Sequence, residues 1–235
     1  RFRSVGIPVF VGSDITENGY MGAPTPFMDA AVHDADDNPC PPGTPGELVL
    51  RPKAPSVLAD GIEGDFIETG AWRGGTCIFA RAILAAYGVT DRNVWVADSF
   101  EGLPAPDGRF EADRGDQHHT KVDLAVSVEQ VEENFRRYDL LDDQVKFLKG
   151  FFADSLPTAP IEKISVLRLD GDMYTSTIDA LEPLYDKVST GGYVVVDDYG
   201  AVDACKKAIH DFRDARGITD EMIEIDWAGV YWRKS

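Results

Sequence analysis

Two apolar runs of β-strand type, Ile164-Ser165-Val166-Leu167-Arg168-Leu169 and Tyr193-Val194-Val195-Val196, each end in acidic residues: Asp170-Gly171-Asp172 after the first and Asp197-Asp198 after the second. Short β-branched runs bounded by polar residues read as buried strands. Between them, Ile178, Leu181, Leu184, Tyr185 and Val188 recur at helical spacing, which predicts a helix over residues 175–188. Strand, helix, strand makes a parallel unit, and a parallel unit brings both acidic clusters to the carboxyl edge of one sheet. Ligands of open α/β sheets bind at that edge. Carboxylates meeting there repel one another and are costly to desolvate unless a cation sits among them. Hard oxygen donors favour Mg²⁺, with Ca²⁺ or Mn²⁺ as alternatives. The plainer alternative is that these aspartates cap helices and face water.

The rest of the chain from Gly64 onward extends this pattern. Residues 65–70 form a first strand ending in Glu68-Thr69-Gly70, and Gly74-Gly75 opens a helix over residues 76–87. Glycines at such a turn let backbone approach a ligand, and the helix start offers free N–H groups. Glu68 or Thr69 is placed to hold the polar tail of a cofactor. A second strand, residues 93–97, ends at Asp98-Ser99. An acid at that position in a Rossmann-type sheet accepts hydrogen bonds from ribose hydroxyls. The competing role for Asp98 is a helix N-cap. A helix over residues 127–138 with Ser127 as N-cap, a strand at 145–148, a helix at 204–215 and a terminal hairpin of residues 222–226 and 230–233 complete the series. The expected fold is α/β, a mostly parallel seven-stranded sheet closed by an antiparallel hairpin.

Residues 1–60 have a different texture. They hold most of the fourteen prolines, and two β-type runs, residues 30–33 and 47–51, flank a Pro/Gly-rich turn. They carry no convergent set of titratable groups. Two domains are expected, residues 1–60 and 61–235. The chain opens on Arg1 rather than Met, as a fragment or processed product does.

Composition excludes several functions. A formal net charge of −18 repels nucleic acid and anionic membranes over most of the surface. No apolar run approaches membrane-spanning length, and no signal peptide is expected. Cys40, Cys77 and Cys205 are odd in number and lack metal-type spacing, so they read as reduced thiols of a cytoplasmic protein. Residues 104–124 form a long polar loop, read as a solvated lid, that includes His118-His119. Trp72 and Tyr174 flank the acidic edge, where packing against a ligand and packing into the core are equally good explanations.

Two resemblances sharpen this reading. Residues 15–24 and 32–51, with Thr16-Glu17 and Pro41-Pro42-Gly43-Thr44-Pro45-Gly46-Glu47-Leu48, resemble an internal piece of the acyl-CoA synthetase and adenylation-domain superfamily. Its phosphate loop and lysine subdomain are absent, so adenylation by this chain is not expected. Residues 64–75 (Gly-Asp-Phe-Ile-Glu-Thr-Gly-Ala-Trp-Arg-Gly-Gly), 94–104, 140–145, 167–172, 197–199 and 229–233 resemble the macrocin O-methyltransferase family, the TylF or MycF type.

That second resemblance implies a class I S-adenosylmethionine (SAM) methyltransferase fold. It implies SAM and Mg²⁺ as cofactors, and methylation of a sugar hydroxyl on a glycosylated natural product such as a macrolide antibiotic. By motif, Asp170, Asp197 and Asp198 would ligate Mg²⁺, Asp172 would be the general base, and Glu68, Thr69, Gly70, Asp98 and Ser99 would bind SAM. Which of Asp170 and Asp172 is ligand and which is base stays open. Alternatives are a catechol or vicinal-diol acceptor, or a non-catalytic truncated fusion. The resemblance also implies a possible homodimer, since members of that family carry a helical N-terminal region that helps cover the active site and form the dimer; an unrelated segment stands in its place here.

Overall fold

The computed structural model describes residues 61–235, together with short strands at residues 10–11, 23–24, 28–33 and 47–52. Arg1–Ser56 and Val57–Ser235 form two compact units. In the first unit, β1 (Phe10–Val11) pairs antiparallel with β2 (Ala23–Pro24), and β3 (Met28–His33) with β4 (Glu47–Pro52). The second pair is the hairpin expected from its β-type runs. The Pro/Gly-rich turn with Cys40, and the Thr16-Glu17 segment, lie outside the described residues.

The second unit is built on one seven-stranded sheet. Its strands are β5 (Asp65–Thr69), β6 (Val94–Asp98), β7 (Val145–Lys149), β8 (Ile164–Leu169), β9 (Val188–Val196), β10 (Ile223–Glu224) and β11 (Val230–Arg233). They lie in the order β10-β11-β9-β8-β5-β6-β7. Pairs from β7 to β9 are parallel, whereas β11 pairs antiparallel with β9 and β10 with β11. This is the expected parallel sheet with a terminal hairpin. Chain order reverses between β5 and β8, so the carboxyl ends of those strands open a crevice at the switch point.

Side chains alternate along each strand and divide the core into two layers. Phe66, Val94, Val96 and Val166 face α1 (Gly75–Ala86) and α2 (Val128–Arg137), packing with Ile78, Val131 and Phe135. Ile67, Trp95, Leu167 and Val194 face the other way, onto α4 (Tyr174–Leu184) and α5 (Asp203–Arg216), with Leu181, Ile209 and Phe212. A short helix, α3 (Phe152–Ser155), lies between β7 and β8. Cys77 and Cys205 are buried in these layers, and burial pushes the Cys205 thiol up to about 12. They are core residues, not nucleophiles.

Three local outcomes differ from the sequence expectation. The helix expected over 175–188 ends at Leu184, and Tyr185–Lys187 continue as a single 3₁₀ turn. The helical path ends because Val188 turns extended, at φ −66° and ψ 123°, to enter the next strand. Val188 then belongs to β9, which starts five residues before Tyr193. The strand is irregular there: the β8–β9 register shifts around Gly191-Gly192, and Gly191 sits at φ 82°. The hairpin strand β10 is only two residues long because Asp226 turns the chain early, its Oδ1 accepting the N–H groups of Ala228 (2.9 Å) and Gly229 (2.7 Å). Ser127 caps α2 as expected, accepting the Gln130 N–H at 3.3 Å.

Candidate active site

The carboxyl ends of β5, β6 and β8, with the segment that follows β7, line a cavity of about 440 Å³, within the range of small-molecule sites. Gly70, Asp98, Ser99, Asp170 and Asp172 all line it. Glu68 and Thr69, also expected at the cofactor, are buried beneath the edge and do not line the cavity. Asp197 and Asp198 stand beside Asp170.

Gly70 is required by close approach. A Cβ there would lie 1.6 Å from the Asp170 carbonyl oxygen, and φ is 91°, which favours glycine. The first strand end and the acidic turn are thus in backbone contact, with the Asp170 N–H donating to the Thr69 carbonyl at 2.9 Å. Gly74 serves packing instead: a Cβ would meet Val131 Cγ1 at 2.7 Å.

Asp98 caps no helix. Its Oδ1 accepts the Phe100 N–H at 2.7 Å and its Oδ2 the Trp72 N–H at 2.9 Å. It therefore ties the turn after β6 to the loop after β5, where Trp72 sits at φ 47°. Burial pushes the Asp98 carboxyl up, against those two N–H donors. The Ser99 hydroxyl lies a further 3.5 Å from Oδ1, and the Ala71 backbone adds another hydrogen bond. Ser99 Oγ donates to the Gly102 carbonyl at 2.6 Å and accepts from the Glu101 N–H at 3.0 Å, which holds the turn rigid.

The acidic clusters meet as the parallel unit requires. Carboxylate oxygens of Asp170, Asp197 and Asp198 lie within 4.8 Å of one another. Among them reaches Arg168, a residue to which the sequence assigned no role. Its Nη1 lies 2.5 Å from Glu68 and 2.6 Å from Asp170, and its Nη2 lies 2.6 Å from Asp197. One guanidinium does not neutralise this many carboxyls. Burial pushes the Asp170 carboxyl well above its usual range, with Asp197 and Asp198 adding to the effect against Arg168. Burial and the charge of Asp172 push Asp198 up to about 6. The remaining unneutralised charge, on hard oxygens, fits a divalent cation.

Asp172 occupies a left-handed conformation at φ 56°. Its N–H donates to Asp198 Oδ2 at 3.0 Å, which fixes the turn against the second acidic cluster. Burial pushes its carboxyl up, with His118 and Lys121 opposing. His118 stands on the lid, its Nδ1 2.6 Å from Asp116 Oδ2 and its Nε2 3.9 Å from Asp172 Oδ1. Trp72 is half exposed at the cavity mouth, its Nε1 donating to the Asp123 carbonyl at 2.9 Å. Tyr174 is buried and donates its hydroxyl to Asp211 at 2.9 Å.

Comparison with known proteins gives this geometry a context. The family model for "Macrocin-O-methyltransferase (TylF)" matches residues 49–234. A mycinamicin III 3''-O-methyltransferase of Micromonospora griseorubida is 53% identical over 184 residues, covering 77% of this chain and 72% of the relative. An 8-demethyl-8-(2,3-dimethoxy-alpha-L-rhamnosyl)-tetracenomycin-C 4'-O-methyltransferase of Streptomyces olivaceus is 55% identical over 181 residues, covering 76% and 69%. Among solved structures, the O-methyltransferase NovP matches with a TM-score of 0.74 at 53% identity, over 76% of this chain and 75% of that one.

Proposed function

The chain belongs to the macrocin O-methyltransferase family, and on that premise we propose that it methylates a sugar hydroxyl of a glycosylated natural product, with SAM as donor and Mg²⁺ as resident cation. The observation that carries this reading is the convergence of Asp170, Asp197 and Asp198 beside a cavity lined by Asp98 and Asp172. SAM supplies an activated methyl group, and Mg²⁺ would lower the cost of developing negative charge on the acceptor oxygen.

The protein's own residues have separable tasks. Asp98 binds and orients a ribose, while Gly70 keeps the cavity floor open. Glu68 and Thr69, which lie below the floor, support the donor site from beneath. Asp170, Asp197 and Asp198 hold the cation, with Arg168 fixing two of the three carboxylates. Asp172 accepts the hydroxyl proton, and its raised carboxyl is better matched to that task than an ordinary aspartate. The names of relatives support the acceptor class: one is a mycinamicin III 3''-O-methyltransferase, and the other is a 4'-O-methyltransferase of a rhamnosyl-bearing tetracenomycin C. No helix among the described residues is long and apolar enough to cross a membrane.

The test is methyl transfer followed by mass spectrometry, with SAM and three acceptors: mycinamicin III, the tetracenomycin rhamnoside and demethyldecarbamoylnovobiocin, named for relatives of this chain. A mass gain on one of them, lost with chelator and restored by Mg²⁺, is expected. Methylation of catechol with no transfer to any of the three would overturn the acceptor class, and full activity in chelator would overturn the cation.

A further inference from the structure

The polar loop over residues 104–124 is mostly exposed, but Asp113 within it is not. Only 2% of Asp113 reaches solvent, whereas its neighbours Glu111 and Arg114 are exposed. Its Oδ1 accepts the backbone N–H of Tyr174 at 2.8 Å. Its Oδ2 accepts the N–H of Thr175 at 2.8 Å and also the Thr175 hydroxyl. These are the first N–H groups of α4, donors that no residue inside the helix satisfies. Met173, the residue in the N-cap position, gives no side-chain hydrogen bond. The helix that leaves the Asp170-Gly171-Asp172 turn is therefore capped by a carboxylate 61 residues earlier in the chain.

Asp172 stands two residues before Tyr174 in the left-handed region, which aspartate reaches more readily than most residues but holds in one place only with support from its surroundings. One constraint is its own N–H bond to Asp198. The other is the start of α4, reached through the tight Met173 N–H to Gly171 carbonyl contact at 2.6 Å. Two further contacts join the loop to the same helix. Arg109 forks onto Asp179 at 3.0 and 2.7 Å, and the Phe110 and Tyr174 rings lie 4.6 Å apart. Arg109 is half exposed and its ion pair is screened, whereas the Asp113 bonds are desolvated and charge-assisted.

We propose that Asp113 is a positioning residue for methyl transfer: by capping α4 from the lid it holds Asp172 in place, so that lid docking and readiness of the proton acceptor are one event. The inference rests on the reading of Asp172 as that acceptor. It assigns part of the loop a structural task within the active site, where the sequence offers only a solvated lid.

The test compares the full chain with Asp113→Asn, Asp113→Ala, Asp172→Asn and the Asp113→Asn/Asp172→Asn double variant, using SAM, Mg²⁺ and whichever of the three acceptors turns over. Asp113→Asn keeps an acceptor oxygen and the side-chain volume, and it decides the matter if Asp113→Ala fails to fold. Asp113→Asn should lower kcat about 10–100-fold, the scale of a misplaced reacting group, with KM for SAM changed less than about threefold. The double variant should be no slower than Asp172→Asn alone, because a positioner has no effect once its target is gone. Multiplying losses, or a wild-type kcat in Asp113→Asn, overturns the inference. Asp172→Asn at the wild-type rate is a different failure, that of the acceptor assignment. Amide hydrogen exchange on the resting protein needs no acceptor substrate: Asp172, Tyr174 and Thr175 should exchange about tenfold faster in Asp113→Asn, with the last turn of α4 unchanged. Unaltered exchange at Asp172 also overturns the proposal.

Discussion

Arg168 and Glu68 face each other across the β5–β8 pairing, with Nη1 and Oε1 2.5 Å apart and Glu68 only 2% exposed. Burial pushes the Glu68 carboxyl up even with the guanidinium beside it. Removing one partner of such a pair strands a desolvated charge. Arg168→Met is therefore expected to lower the unfolding free energy by about 3–5 kcal/mol, read from urea denaturation. A loss below about 1 kcal/mol would show that solvent reaches Glu68 and the pair is not internal.

Gly70→Ala should be among the most damaging single-methyl additions in this unit. The new Cβ meets backbone, the Asp170 carbonyl, rather than a movable side chain, and φ is unsuited to alanine. Overpacking and strain together predict a loss of roughly 2–5 kcal/mol, with Mg²⁺ binding impaired because Asp170 must shift. A variant with wild-type thermal stability and calorimetric Mg²⁺ affinity would contradict the contact.

Asp98→Ala is expected to weaken SAM binding by about 1.5–3 kcal/mol, the worth of a hydrogen bond to a charged group. The loop after β5 should loosen at the same time, since the Trp72 N–H loses its acceptor. Titration calorimetry on the folded variant decides it: an unchanged dissociation constant removes Asp98 from the cofactor site.

Asp198 gives a pH dependence with a definite sign. Its carboxyl sits at about 6 in the metal-free fold, above the ordinary 3.8. The fold thus binds that proton more tightly than the unfolded chain does. The resulting stabilisation is complete below the ordinary value and is lost as pH rises through about 6. On the proposed reading a divalent cation would take the place of the proton, so the rise in Tm on adding Mg²⁺ should be small near pH 5 and larger near pH 7.5. An equal shift at both pH values would contradict a shared site.

The parts of this site that were legible in the sequence are those written in local pattern. Asp170, Asp197 and Asp198 announce themselves because each terminates an apolar run, and two such runs joined by a helix must end at one edge. Gly70, Asp98 and Ser99 are legible for the same reason, as strand ends. Arg168 was hidden because its partners come from three strands, and an arginine inside a strand has no local mark of burial. Asp113 was hidden because its surroundings are polar and its targets are backbone groups of a distant helix. Glu68 and Thr69 lie at the expected strand end, buried below the cavity, a depth that strand periodicity does not encode. The end of α4 is overrun by apolar spacing, because Val188 fits the helical period yet belongs to β9.

The central claim is that Asp170 and Asp172, two residues apart, do different chemistry. Its most direct measurement is Mg²⁺ titration calorimetry and methyl-transfer rate on Asp170→Asn and Asp172→Asn side by side. Asp172→Asn should bind SAM and Mg²⁺ nearly as the parent does while its rate falls about 10²–10⁴-fold, the usual worth of a positioned base. Asp170→Asn should lose Mg²⁺ affinity together with rate. The reverse pattern, Mg²⁺ lost in Asp172→Asn and kept in Asp170→Asn, would contradict the assignment, as would wild-type rates in both.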